Sequence, residues 1–364
     1  MKRRTLLQAA LAAPVVAGIP RWALAQQMSF DPRAGDWRTF ELTSRVEINK
    51  PAGATTVWIP LPSVESDYQD SRDNEWKTNA AKASIVTDGN SGAKMLRAEW
   101  TSDAEKPWVE VTSRAATRNR KVDLAVGGTG AKLGAEERAY YLAATDYLPT
   151  DGLVRKTAVE ATKGAKTEME KAKAIYEWIV DNTFRDPKTI GCGRGDVQVM
   201  LETGNLSGKC ADLNALYVAM ARSVGLPARD VYGLRVAKSQ FGYRSLGAGT
   251  ENVTRAQHCR AEVFINGRGW FPVDPADVRK VVLEEKPQPT TLQDPVVPPV
   301  RANLFGAWEM NWLAYNDAHD VKLPGSSGEK LAFLMYPQAE TGGKRVNPYA
   351  PDDFTYKLTA REIT

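Results

Sequence analysis

Histidine and cysteine are scarce in this chain, with two histidines and three cysteines among 364 residues. Three cysteines are too few, and odd in number, for a disulfide framework, so at least one thiol is unpaired. Any chemistry that needs an imidazole must draw on His258 or His319. Long apolar runs are also missing. The longest, Ala9 to Ile19, spans eleven residues, short of the ~20 that a bilayer-crossing helix requires, which excludes an integral membrane protein. There is no internal repeat and no glycine-rich phosphate loop. The first 25 residues contain no Asp or Glu but carry Lys2, Arg3, Arg4 and Arg21, and these four account for the whole net charge of +4. The remainder is neutral, so nucleic-acid or membrane-surface binding has no electrostatic basis.

With 43% hydrophobic and 25% charged residues, the chain has the composition of a soluble globular protein and enough length for two domains. The basic start Lys2-Arg3-Arg4, the apolar middle from Leu6 to Ile19 and the small residues Ala23-Leu24-Ala25 have the order of a cleaved export signal covering residues 1–25. Arg3-Arg4-Thr5-Leu6-Leu7 is similar to a twin-arginine leader, and a general secretion route fits as well. Either places the mature protein in the periplasm or outside the cell. Short β-rich runs such as Thr39 to Thr43, Thr56 to Leu61 and Trp108 to Thr112, punctuated by turn residues, predict an antiparallel β-sandwich over 36–130. Gly127-Gly128-Thr129-Gly130 marks a boundary before a second unit at 138–285. A Pro-rich arm, Lys286 to Val300, is expected to run extended across a surface and opens a tail, 286–364, with further strands.

In the second unit Thr167 and Glu170 form a capping box, and Ala172, Ile175, Tyr176, Ile179 and Val180 follow at helical spacing. A second helix is expected within Ser207 to Val224, burying Leu213, Leu216, Tyr217 and Met220, and Gly225-Leu226-Pro227 stops it. Cys210 heads it, where free backbone N–H groups and the helix dipole favour thiolate over thiol. Gly208 is expected to allow close approach, and the Cys210 N–H is a natural oxyanion donor. His258 lies in a strand whose alternation sends Cys259, Ala261, Val263 and Ile265 to a core, and His258, Arg260 and Glu262 to the other face. Pairing Phe271 with Val263 and Val273 with Ala261 requires a three-residue connection, Asn266-Gly267-Arg268, because a one-residue slip would exchange the faces. Asp274 then sits opposite Arg260 and diagonal to His258, where a carboxylate could fix the imidazole. His319, in a polar stretch, reads as a solvated surface residue. A Cys192–Cys259 disulfide would leave Cys210 as the odd thiol, with Cys259 as a plain core residue the simpler alternative. Zinc ligation by Cys192, Cys210, His258 and Cys259 matches no short-loop ligand spacing. The Gly-rich loop from Ala237 to Gln257 is either a gate over a cleft or a plain connection.

Gly208-Lys209-Cys210-Ala211-Asp212-Leu213, Val224-Gly225-Leu226-Pro227-Ala228-Arg229, Gln257-His258-Cys259-Arg260-Ala261-Glu262-Val263 and Gly269-Trp270-Phe271-Pro272-Val273-Asp274-Pro275, with the helix around Ile175, resemble the transglutaminase-like superfamily. The resemblance covers about Arg138 to Glu285. It implies an α+β fold, with a papain-like transglutaminase core behind the antiparallel β-sandwich, and a Cys210 nucleophile, a His258 base and an orienting Asp274. It implies a protein or peptide substrate cleaved or transferred at an amide, with no cofactor or metal, and leaves the reaction open; hydrolysis is slightly favoured over transamidation because water needs no second binding groove. The competing reading from another class is a noncatalytic envelope module that captures peptides on the same fold.

Overall fold

The computed structural model describes residues 29–125, 128–289, 291–350 and 352–363. The expected export signal, residues 1–25, lies outside them, as does Gly127 of the expected boundary. Six strands come first: β1 (Arg38–Ile48), β2 (Thr55–Pro60), β3 (Gln69–Thr78), β4 (Lys82–Thr87), β5 (Lys94–Trp100) and β6 (Trp108–Thr117). In β1 the buried residues Phe40, Leu42, Val46 and Ile48 fall on alternate positions, the period of a half-buried strand. Next come helices α1 (Gly152–Ala161), α2 (Glu168–Asn182) and α3 (Cys210–Ser223), strands β7 (Ala228–Arg235), β8 (Gln257–Ile265) and β9 (Gly269–Val273), helix α4 (Pro275–Glu284) and strand β10 (Trp312–Asn316). Strands β11 (Gln338–Thr341), β12 (Lys344–Val346) and β13 (Phe354–Ile363) close the chain.

The early and late strands build one sandwich. One sheet has the order β13-β1-β6-β3 and the other β12-β11-β2-β5-β4, with Val46, Val57, Ile59, Leu96, Val109 and Phe354 packed between them. β13 runs antiparallel along β1 from Thr39↔Ile363 to Ile48↔Phe354, and β11 pairs with β2. Without β13, β1 would be a long open edge, a template for aggregation.

The second unit is a sheet in the order β9-β8-β7-β10 with helices against it. The hairpin register is the predicted one: Ala261↔Val273, Val263↔Phe271 and Ile265↔Gly269, with Gly267 at φ 79° in the three-residue connection. The capping box of Thr167 and Glu170 starts α2 one residue later, at Glu168. Where α3 was expected to bury one stripe, every residue of it is buried, because β8 and β7 cover one side and α1, α2 and α4 the other. The second face of β8 is covered as well: Arg260 lies 4.7 Å from the centroid of the buried Trp312 ring, and Glu262 is paired with Arg229 at 2.7 Å.

Two expectations are corrected. His319 is buried, not solvated: it starts a short strand paired with Leu331–Phe333, and its Nδ1 lies 3.4 Å from the Tyr232 hydroxyl. The Pro-rich arm does not stay extended. It turns, and Pro298–Asn303 form a helix with proline in its first turn, where the missing N–H costs no helical hydrogen bond. Val297 and Val300 thereby enter the main core.

Candidate functional site

Cys210 is the first residue of α3 and only 3% exposed. The helix head is organised by Asp212, whose Oδ2 accepts the Lys209 N–H at 2.9 Å and whose Oδ1 accepts the Arg194 and Gly195 N–H groups, each at 3.0 Å. One carboxylate thus caps the helix and straps the 189–195 segment onto it. The Ala211 N–H donates to the Cys192 carbonyl at 2.9 Å, and the Lys209 ammonium to the Thr189 carbonyl at 2.7 Å. A Cβ on Gly208 or on Gly193 would overlap the Asp212 carboxylate. Gly208 is therefore required by the cap itself and not only by an approaching substrate.

His258, the second residue of β8, is 2% exposed. Its Nε2 lies 2.8 Å from Asp274 Oδ2, and its backbone carbonyl accepts the Trp312 indole N–H at 2.9 Å. With Nε2 so held, Nδ1 is the ring nitrogen left to act on the Cys210 thiol, whose ionisation the His258 ring favours. Asp274 caps α4, its Oδ1 accepting the Asp277 N–H at 3.1 Å, so the turn that ends β9 fixes the carboxylate beneath the imidazole. Cys210 and His258 line a cleft of about 690 Å³ whose walls include Gln257 and Tyr336, and Asp274 is buried behind the imidazole. Part of the Ala237–Gln257 loop, from Gly247 onward, lines it.

Three groups absent from the sequence-derived set join this cluster. Asp277 Oδ2 lies 3.4 Å from His258 Nε2, and its carboxylate is gripped by Arg235 Nη2 at 2.6 and 2.7 Å. Asn214, one turn into α3, donates to the Cys259 carbonyl at 2.9 Å and reaches Asp274 Oδ1 at 3.4 Å. The run Asp274-Pro275-Ala276-Asp277 held a signal for Asp277: Asp as cap with Pro behind it starts a helix, and a carboxylate three residues on lies on the same side of its first turn. Among the described residues, His258, Asp274 and Asp277 are the group whose metal-ligating atoms lie within 4.8 Å of one another. Those atoms are engaged with each other and with Arg235.

The electrostatics follow from these contacts. Burial and the Arg235 charge oppose protonation of His258, but Asp277 and Asp274 outweigh them and raise it to about 9. The Cys210 thiol is held well below the usual thiol range by the neighbouring Cys192 and Cys259 sulfurs and by the His258 ring, against burial, which would raise it. The other two sulfurs shift upward: Cys192, whose S–H donates to the Gln257 carbonyl at 3.2 Å, because of the neighbouring Cys210 sulfur and burial, and Cys259 because of burial and the same neighbour. The two shifts run in opposite directions, Cys210 down and His258 up, and both favour a thiolate–imidazolium pair. All three cysteines are free, so the Cys192–Cys259 disulfide is not formed.

A family model described as the transglutaminase-like superfamily matches residues 155–275. The chain is 35% identical over 346 residues to an uncharacterized protein of Haemophilus influenzae, covering 90% of this chain and 92% of that one. It is 26% identical over 140 residues to the uncharacterized protein YebA of Bacillus subtilis, which covers 37% of this chain but 18% of that larger protein. Among solved structures, a candidate cysteine protease from Cytophaga hutchinsonii superposes with a TM-score of 0.53 at 15% identity, over 90% of this chain and 99% of that one, a likeness of fold. The family match falls on α2, α3, β7, β8 and β9, the elements that carry Cys210, His258 and Asp274, and the Haemophilus relationship extends along nearly the whole chain. The chain belongs to the transglutaminase-like superfamily.

Proposed function

We propose that the protein is an exported cysteine acyl-transfer enzyme acting on amide carbonyls of proteins or peptides, with Cys210 as nucleophile, His258 as acid and base, and Asp274 as the group that orients the imidazole. One observation carries the reading: a thiol heading a buried helix and an imidazole that an aspartate grips at 2.8 Å line the same cleft. Export rests on the order of basic, apolar and small residues in the first 25 positions.

The thiolate attacks the carbonyl carbon, and the charge developing on oxygen is met by the Cys210 N–H, which the helix ladder does not use. The imidazolium gives its proton to the departing amine nitrogen as the C–N bond breaks, leaving a thioester. Neutral His258 then takes a proton from water as the oxygen attacks the thioester, and sulfur leaves as thiolate. Water is favoured over an amine as the second nucleophile because it requires no second binding site. Both half-reactions use one imidazole in alternating protonation states, and Asp274 and Asp277 stabilise the charged one.

The test is to incubate the mature protein with envelope extract and a labelled amine, then read acceptor peptides and the intact enzyme mass. An acyl adduct on Cys210, resolved to a free carboxylate or to labelled amide and absent in Cys210→Ala, is the expected result. No adduct in wild type, together with Cys210 alkylated no faster than Cys192 and Cys259, would leave a binding module in its place.

A further inference from the structure

The charge lining the cleft is one-sided. Arg185, Lys209, Arg255 and Lys280 face the cavity, and among the described residues Glu284 is the one acidic side chain in its walls apart from the buried catalytic cluster. Arg185 and Lys280 both contact Glu284, so that one carboxylate serves two cations. Lys209 donates to a neutral carbonyl, and Arg255 is exposed. No carboxylate is paired with either among the described residues. Arg235 also reaches the cavity, but Asp277 neutralises it. The walls therefore carry a surplus of three positive charges. The chain beyond its first 25 residues is neutral, so this is a local feature and not a spill-over of a basic protein. A concave site with low-dielectric walls focuses such a field and raises the local concentration of anions. Tyr336, Tyr349 and Tyr356 add aromatic wall in the same cavity, surface suited to an extended peptide.

We propose that the acyl donor of this cleft is an acidic peptide, one that carries a carboxylate close to the amide that Cys210 attacks. This rests on the reading of Cys210 as nucleophile and deepens it. Partial burial of Lys280, next to Arg185, disfavours its charge, and a substrate carboxylate would relieve that opposition where Glu284 alone is shared. The surplus charge attracts the donor before reaction and does not depend on the identity of its amine half.

The experiment compares alkylation of Cys210 by iodoacetate, an anion, with alkylation by neutral iodoacetamide, each rate read by peptide mass and normalised to a small free thiol at the same pH. The expected iodoacetate-to-iodoacetamide ratio is at least fivefold above that of the free thiol, falls towards it in 0.5 M salt, and falls in Arg255→Gln and in Lys280→Gln. Arg255 is exposed, so its variant tests the charge without disturbing packing. A tetrapeptide with Asp beside its central amide should protect Cys210 from iodoacetamide at least fivefold more strongly than the same peptide with Asn. A ratio equal to the free thiol's, or unmoved by both variants, or equal protection by the two peptides, overturns the acidic-donor proposal while fast iodoacetamide labelling keeps the nucleophile reading. Slow labelling of Cys210 by both reagents would overturn both.

Discussion

Asp277→Asn is the substitution that separates a designed electrostatic site from an accident of burial. In the wild type the imidazolium at His258 is held to about 9 against burial and against Arg235. The Asp277 carboxylate is 3.4 Å from Nε2, and at an effective dielectric of ~20 a unit-charge pair at that separation is worth ~5 kcal/mol, or about 3.5 pH units at ~1.36 kcal/mol each. Removing it also turns Arg235 from a neutralised neighbour into a repelling one. His258 should then titrate at least ~2 units lower, at or below neutrality. The assay is an NMR titration of ring-labelled histidine, simple here because the chain has two imidazoles that behave oppositely: burial keeps His319 far below its ordinary value, so it stays neutral while His258 moves. An orphaned, buried Arg235 costs ~3–5 kcal/mol of stability, so the companion variant is Asp277→Asn with Arg235→Gln, which leaves no unpaired charge; its His258 should lie between the wild-type and single-variant values. A folded Asp277→Asn in which His258 still titrates near 9 would refute the assignment of its raised titration to Asp277, and a wild-type value near the ordinary ~6.5 would refute the ion pair itself.

The thiolate can be followed by its ultraviolet absorbance, and Cys210 should be ionised well below the ordinary thiol range; Cys192→Ala, which removes a neighbouring sulfur, should move the titration upward. Identical titrations in wild type and Cys192→Ala would show that the sulfur contact contributes nothing. Gly208→Ala places a methyl group on the Asp212 carboxylate and should cost ~1–3 kcal/mol as overpacking of a buried position, read as a lowered melting temperature together with slower alkylation of Cys210, and an unchanged melt would contradict the packing described. Denatured, unreduced protein should present three titratable thiols; one thiol would mean that two of the free sulfurs had been oxidised to a disulfide.

The parts of this molecule that could be read from the chain alone are those set by neighbours in sequence. The period-2 burial of β1, the capping box at the start of α2, the cysteine at the head of α3 and the hairpin register around Asn266-Gly267-Arg268 each follow from a local rule, and together they fixed which residues of β8 and β9 share a face. What was not legible depends on segments that arrive from far away. β13 completes the first sheet from more than 300 positions along the chain, and nothing in the composition of Phe354–Ile363 names β1 as its partner. His319 reads as polar surface until Tyr232 and the strand at Leu331–Phe333 enclose it. The same division runs through the site. Cys210, His258 and Asp274 are each placed by a helix start, a strand alternation and a cap, whereas the charge state of the three is set by Arg235 from β7, by Asp277 from the turn after the cap and by the thiols of Cys192 and Cys259. Positions such as these can be read from the chain, but their charge states are tuned by the groups that tertiary packing brings against them. That is why the pH behaviour of His258, more than its presence, is the sharper measure of this fold.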